Sequence, residues 1–381
     1  MTNATTLSKS FDTFIPKLRT LMGPGPSDVS PRVLNALARP TLGHLDPQFI
    51  QLMDEVGELL RYTYQTDNAL TMPISAPGSA GMEACFANLL EPGDKVVVCI
   101  NGVFGGRMRE NIIRCGATPI EINSDWGHQT NIDELDATLA EHNDIKAVAF
   151  VHAETSTGVR NDAAALCAVA KKHGCLTIVD TVTSLAGIEL LVDEWQIDAT
   201  YSGSQKCLSC VPGLSPVTFS EEALAVIKSR KSPVQSWFLD LNLILGYWGG
   251  GAKRAYHHTA PVNSLYALHE SLIMVAEEGL ENAWQRHAST HQKLCTGLES
   301  IGITFAVDKS YRLPQLNVVN IPDGVVDAEV RAELLNRFGL EIGAGLGAFA
   351  GNVWRIGLMG SACTEKNVQH CVASLKEVLK L

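Results

Sequence analysis

Residues 175–213 read CLTIVDTVTSLAGIELLVDEWQIDATYSGSQKCLSCVPG, and they decide the fold. Leu176, Thr177, Ile178 and Val179 make a short, β-branched apolar run, the pattern of a buried strand. Asp180 closes that run, at the carboxyl end where open α/β sheets bind ligands. A second strand-like run, Asp198-Ala199-Thr200-Tyr201, leads through the hydroxyl-rich turn Ser202-Gly203-Ser204-Gln205 to Lys206. These residues suit an ordinary loop, and they suit equally a site that needs a carboxylate, phosphate donors and an amine.

Outward from this stretch, strand and helix patterns alternate. Strands are expected over 70–75, 95–100, 118–122 and 145–152. Helices are expected over 82–90, 107–115, 133–141 and 162–173, with an earlier one over 48–64. Residues 76–81 read as a turn. This alternation predicts an α/β fold, a mostly parallel sheet with helices on both faces. Residues 216–219 read as a short antiparallel edge strand. Beyond Pro261, apolar residues recur at helical spacing from Leu265 to Leu298, which predicts one long helix bridging two domains. Strands over 316–321 and 353–358 and helices over 328–338 and 365–380 then predict a smaller α+β domain. The expected organisation is an arm over 1–20, a large domain over 21–264 and a small C-terminal domain over 265–381.

Forty-one acidic against 30 basic residues give a net charge of −11, which argues against nucleic acid or an anionic membrane as partner. No apolar run approaches the ~20 residues of a membrane span. Ten scattered cysteines and no secretory leader favour a reduced, cytoplasmic setting. The terminal Leu379-Lys380-Leu381 is a degenerate match to a peroxisomal signal. Cys207 and Cys210 form a solitary C-x-x-C, read as coincidental, and no metal site is expected.

Four further features carry chemistry. Gly78-Ser79-Ala80 lies between a strand and a helix start, where free N–H groups favour a phosphate; a plain turn is the alternative. Asp180 could hold a pyridinium nitrogen or cap a helix. Lys206 could serve as nucleophile and general base if its pKa were lowered. Arg355, between apolar neighbours on a strand, could pair with a substrate carboxylate or with an internal acid. Pyridoxal 5'-phosphate is the cofactor that asks for this combination. Gly343-Ala344-Gly345-Leu346-Gly347 lacks the following helix and acidic residue of a dinucleotide loop.

Together the motifs resemble the class V branch of fold-type I pyridoxal phosphate enzymes, nearest the alanine–glyoxylate (serine–pyruvate) aminotransferase family. They are Gly23-Pro24-Gly25-Pro26, Leu90-Glu91-Pro92-Gly93-Asp94, Glu154-Thr155-Ser156-Thr157-Gly158, Tyr201-Ser202-Gly203-Ser204-Gln205-Lys206, Tyr256-His257-His258-Thr259 and Arg355-Ile356-Gly357. The resemblance implies a large PLP-binding domain, a homodimer with shared sites, and ping-pong transfer from alanine to glyoxylate. Serine as donor, and a cysteine desulfurase, are the alternatives. It implies that Lys206 forms the imine and Asp180 holds the ring nitrogen, with Thr155 near the ring hydroxyl. Gly78, Ser79, Ala80 and Gln205 would surround the phosphate, joined by Tyr256 and Thr259 of the neighbouring subunit. Gly25 and Arg355 would bind substrate. Phe104 stands where relatives often carry tryptophan, and Ser79-Ala80 where some carry Gly-His.

Overall fold

The computed structural model describes residues 9–249 and 254–380. The first eight residues of the expected arm, residues 250–253 and Leu381 lie outside it. The centre is a seven-stranded sheet in the order Leu70–Ile74, Ser215–Phe219, Ala199–Tyr201, Leu176–Asp180, Ile145–Val151, Lys95–Ile100 and Thr118–Asn123. Every pairing is parallel except those of Ser215–Phe219, which runs antiparallel to both neighbours. The expected antiparallel strand is therefore there, but it is interior. All five of its residues are buried, and Leu70–Ile74 takes the edge.

Two helices begin earlier than their apolar periodicity predicts. One spans Gly78–Leu89, so Gly78, Ser79, Ala80 and Gly81 form its first turn. Another spans Val103–Arg114. Glycines in a first turn hide a helix from propensity, because glycine is a poor helix former and tertiary contacts must hold it. Gly81 is there because a Cβ would run into Ser215 and Tyr201 of the sheet.

The long bridging helix is in fact two, Val262–Glu278 and Leu280–Ser300, broken at Gly279. Gly279 has φ +82° and ψ 140°, a conformation almost confined to glycine. Val262, Leu265, Leu268, Leu272 and Val275 face the core under the large sheet, whereas Leu294 and Leu298 face a second core. That second core also takes Leu340, Trp354, Ile356 and Leu375. It surrounds the three-stranded sheet Leu316–Asn320, Val353–Gly357, Gly343–Ala344. Met22 belongs to it as well, because Thr20–Leu21 pairs in parallel with Leu340–Glu341. The chain then passes from the small core toward the large sheet through Gly23-Pro24-Gly25-Pro26. Among the described residues no helix is long and apolar enough to cross a membrane.

Candidate active site

The carboxyl ends of the central strands open onto a cavity of about 210 Å³. Asp180, Lys206, Gln205, Thr155, Phe104, Gly78 and Ser79 all line it. Asp180 ends its strand in register with Tyr201 on the next one. Its carboxylate accepts the Val182 N–H at 2.8 Å and the Tyr201 hydroxyl at 2.8 Å. Burial pushes the Asp180 pKa up to about 7 despite these donors, and the Glu154 carboxylate adds to the rise.

Lys206 follows the turn that Ser27 ties down. The Ser27 N–H donates to the Gln205 carbonyl at 2.9 Å, and its hydroxyl to the Lys206 carbonyl at 2.8 Å. The Lys206 amine donates to the Pro24 carbonyl. Burial lowers its pKa to about 8 and the Arg355 guanidinium works in the same direction, so roughly a tenth of the amine is unprotonated at pH 7, far more than for an exposed lysine. Gly25, at φ +103°, lies against this amine; a Cβ there would run into Lys206 Nζ.

Arg355 is only 7% exposed. Its Nε donates to the Ala344 carbonyl at 2.7 Å and its Nη1 to the Thr155 carbonyl at 3.3 Å. Among the described residues no acidic side chain forms an ion pair with it. A buried guanidinium using two of its five donors is a ready seat for a carboxylate.

The geometry fits pyridoxal phosphate. The Gly78–Leu89 helix has Pro77 as N-cap and no side-chain cap. Among the described residues the Gly78 and Ser79 N–H groups have no partner, which leaves a helix N-terminus open to a phosphate. Gln205 lines the same cavity, and its NH₂ group is the end that can donate to a phosphate. Ala80 does not line the cavity, and its N–H is already bonded to the Pro77 carbonyl. Tyr256 and Thr259 also stand outside it. Tyr256 is 60% exposed and packs on His44, with its hydroxyl 3.4 Å from Thr259 Oγ1. Cys207 and Cys210 are buried free thiols, both pushed by burial up to about 12, and unsuited to redox or metal chemistry in this state.

Glu154 and Ser156 lie within one of the sequence motifs, and the fold gives both a task that the motif does not announce. The Val103–Arg114 helix begins at Gly102 with no side-chain cap of its own. Glu154 Oε2 accepts the Phe104 N–H at 3.0 Å and the Gly105 N–H at 3.3 Å. Ser156 Oγ accepts the Val103 N–H at 2.9 Å and donates to Glu154 Oε1 at 2.6 Å. In the sequence only the Glu-x-Ser pattern was visible; the burial of Glu154 and its approach to the uncapped start of the Val103–Arg114 helix come from the fold.

A lysine and a carboxylate buried at the carboxyl rim of a mostly parallel sheet are the arrangement expected of a fold-type I transferase. Comparison with known proteins narrows this class. The Aminotransferase class-V model matches residues 31–370. The alanine–glyoxylate aminotransferase of Callithrix jacchus is 39% identical over 364 residues, 95% of this chain and 88% of that protein. The (S)-ureidoglycine–glyoxylate transaminase of Bacillus subtilis (strain 168) is 37% identical over 380 residues, 95% of this chain and 91% of that protein. The crystal structure of an alanine–glyoxylate aminotransferase from Nostoc sp. superimposes with a TM-score of 0.95 at 45% identity, covering 97% of this chain and 98% of that one. The chain belongs to the class V aminotransferase family, whose members generally use pyridoxal phosphate.

Proposed function

We propose that the chain transfers the amino group of L-alanine to glyoxylate, giving pyruvate and glycine, with pyridoxal phosphate as cofactor and by a ping-pong mechanism. The observation that carries this reading is that Lys206 and Asp180 line one small cavity, with the Arg355 guanidinium joined to its wall through the carbonyl of Thr155. When bound, the cofactor supplies an electron sink that lets the α-hydrogen of an amino acid leave as a proton. Lys206 would hold the cofactor and then take and return that proton at Nζ, for which a pKa near 8 is well matched. Asp180 would hold a protonated ring nitrogen, its carboxylate oriented by Val182 and Tyr201. Gly78, Ser79 and Gln205 would hold the phosphate, and Phe104 and Thr155 would flank the ring. Arg355 would bind the substrate carboxylate of donor and acceptor alike.

Gly25 argues for small substrates, because the Pro24 carbonyl and the Gly25 backbone press directly on the lysine amine. Alanine and glyoxylate fit that restriction. The Bacillus relative keeps (S)-ureidoglycine open as a second donor. Steady-state rates with alanine, serine and (S)-ureidoglycine against glyoxylate distinguish these readings. Parallel double-reciprocal lines and the highest kcat/KM with alanine are expected. Negligible pyruvate from alanine beside rapid turnover of another donor would overturn the assignment of donor.

We propose further that two copies assemble, each lending Tyr256 and Thr259 to the other's phosphate. Neither residue lines the cavity of its own chain, and Tyr256 is largely exposed, which supports this.

A further inference from the structure

The Val103–Arg114 helix presents Phe104 to the cavity from a first turn that contains Gly105 and Gly106. Such a turn is weakly helical by itself, and Gly102 offers it no side-chain cap. Its three leading amides, those of Val103, Phe104 and Gly105, are all taken by the 154–156 segment. Glu154 is wholly buried, and its two oxygens between them accept from Phe104, Gly105 and twice from Ser156. No room is left for anything else: a Cβ at Gly102 would collide with the Glu154 carboxyl group and with Ser156 Oγ. Thr155, between the two capping residues, lines the cavity, and its carbonyl receives Arg355. One tripeptide thus touches both the aromatic wall and the substrate-binding guanidinium. The Phe104 ring also carries the Arg107 guanidinium over one face, 4.8 Å from its centroid, and Arg107 lines the same cavity.

We propose that Glu154 is a positioning residue that caps the Val103–Arg114 helix from across the cavity rim and so fixes the Phe104 ring as the wall against which the cofactor sits. This rests on the reading that the cavity holds pyridoxal phosphate. A carboxylate suits the task better than an amide, because all four of its contacts are donors; a glutamine would bring its own NH₂ against one of them. The negative charge also faces a helix N-terminus, where it is favoured.

The test compares the full-length parent with Glu154→Gln, Gly102→Ala and Phe104→Ala, and with Phe104→Ala combined with Glu154→Gln. Amide hydrogen exchange on the cofactor-free protein should be faster at Phe104 and Gly105 in Glu154→Gln, with exchange in the Leu176–Asp180 strand unchanged. Pyridoxal phosphate should bind that variant roughly tenfold more weakly, and the visible circular dichroism of the bound cofactor should change. Gly102→Ala should reproduce both effects by displacing the carboxyl group. In the Phe104→Ala background, Glu154→Gln should cost no further affinity, because the wall it positions is gone. Parent-like exchange at Phe104, or a full additional loss of affinity in the double variant, would overturn the proposal. Failure of the underlying reading looks different: the parent itself would take up no pyridoxal phosphate, while the exchange experiment would still report whether Glu154 holds the helix.

Discussion

Asp180 and Lys206 are each held away from their ordinary charge state by burial, and that makes them separately testable. In the cofactor-free protein Asp180 titrates near 7 instead of 3.8. An acid whose folded pKa is raised resists ionisation, so folding is penalised increasingly as pH climbs from about 4 to about 7. Asp180→Asn removes that penalty, and an amide can face the Val182 N–H with its oxygen and the Tyr201 hydroxyl with its nitrogen. The cofactor-free variant should therefore melt roughly 2–5 °C higher than the parent at pH 8, while its turnover falls about a hundredfold or more. An unchanged turnover would make Asp180 a structural residue. Lys206 runs the other way: its folded pKa is lowered, so the reactive neutral amine appears as pH rises through about 8. The rate at which the cofactor-free protein takes up pyridoxal phosphate should climb with a midpoint near that pH and then level off. A midpoint near 10.5 would mean an exposed, ordinary lysine. Arg355→Lys should raise KM for amino and oxo acids alike by about tenfold or more, because an ammonium cannot make the paired contacts of a guanidinium.

Elements divide into those whose periodicity announces them and those held by distant partners. Leu176–Asp180 and Ala199–Tyr201 were legible because β-branched apolar runs ending at Asp180 and Tyr201 have few other uses. The starts of the Gly78–Leu89 and Val103–Arg114 helices were not, since their glycine-rich first turns are fixed by contacts with the sheet and with Glu154. The interior place of Ser215–Phe219 was equally hidden, because an apolar run gives burial but not neighbours. Gly279 lies inside apolar spacing that continues on both sides of it, and only its φ of +82° shows that the chain breaks there. Gly279→Ala should cost about 1–3 kcal/mol and lower Tm by roughly 2–4 °C, measured by thermal unfolding. No loss would imply that the two helices can join without strain.

At the scale of the whole molecule, an exposed Tyr256 and the exposed apolar side chains of Phe11, Phe14, Ile15 and Leu18 support an assembly that covers them. The motif Tyr256-His257-His258-Thr259 was legible in the sequence; which chain's cavity it serves was not, because a single chain holds no record of its partner. Co-expression of Lys206→Ala with Tyr256→Phe/Thr259→Ala should restore activity, since each mixed dimer keeps one site with a parental lysine and a parental loop. Recovery of about half the parent rate per mixed dimer is expected for two independent sites; no recovery would place the loop in its own chain's site. The central claim, that Lys206 carries the cofactor through alanine transamination, is tested most directly by reductive trapping. The pyridoxal phosphate-loaded protein is treated with borohydride before and after L-alanine, and the fixed group is located by peptide mass. A label on Lys206 alone is expected, lost after alanine with release of pyruvate and regained after glyoxylate. A label on any other lysine, or one that alanine leaves untouched, would contradict it.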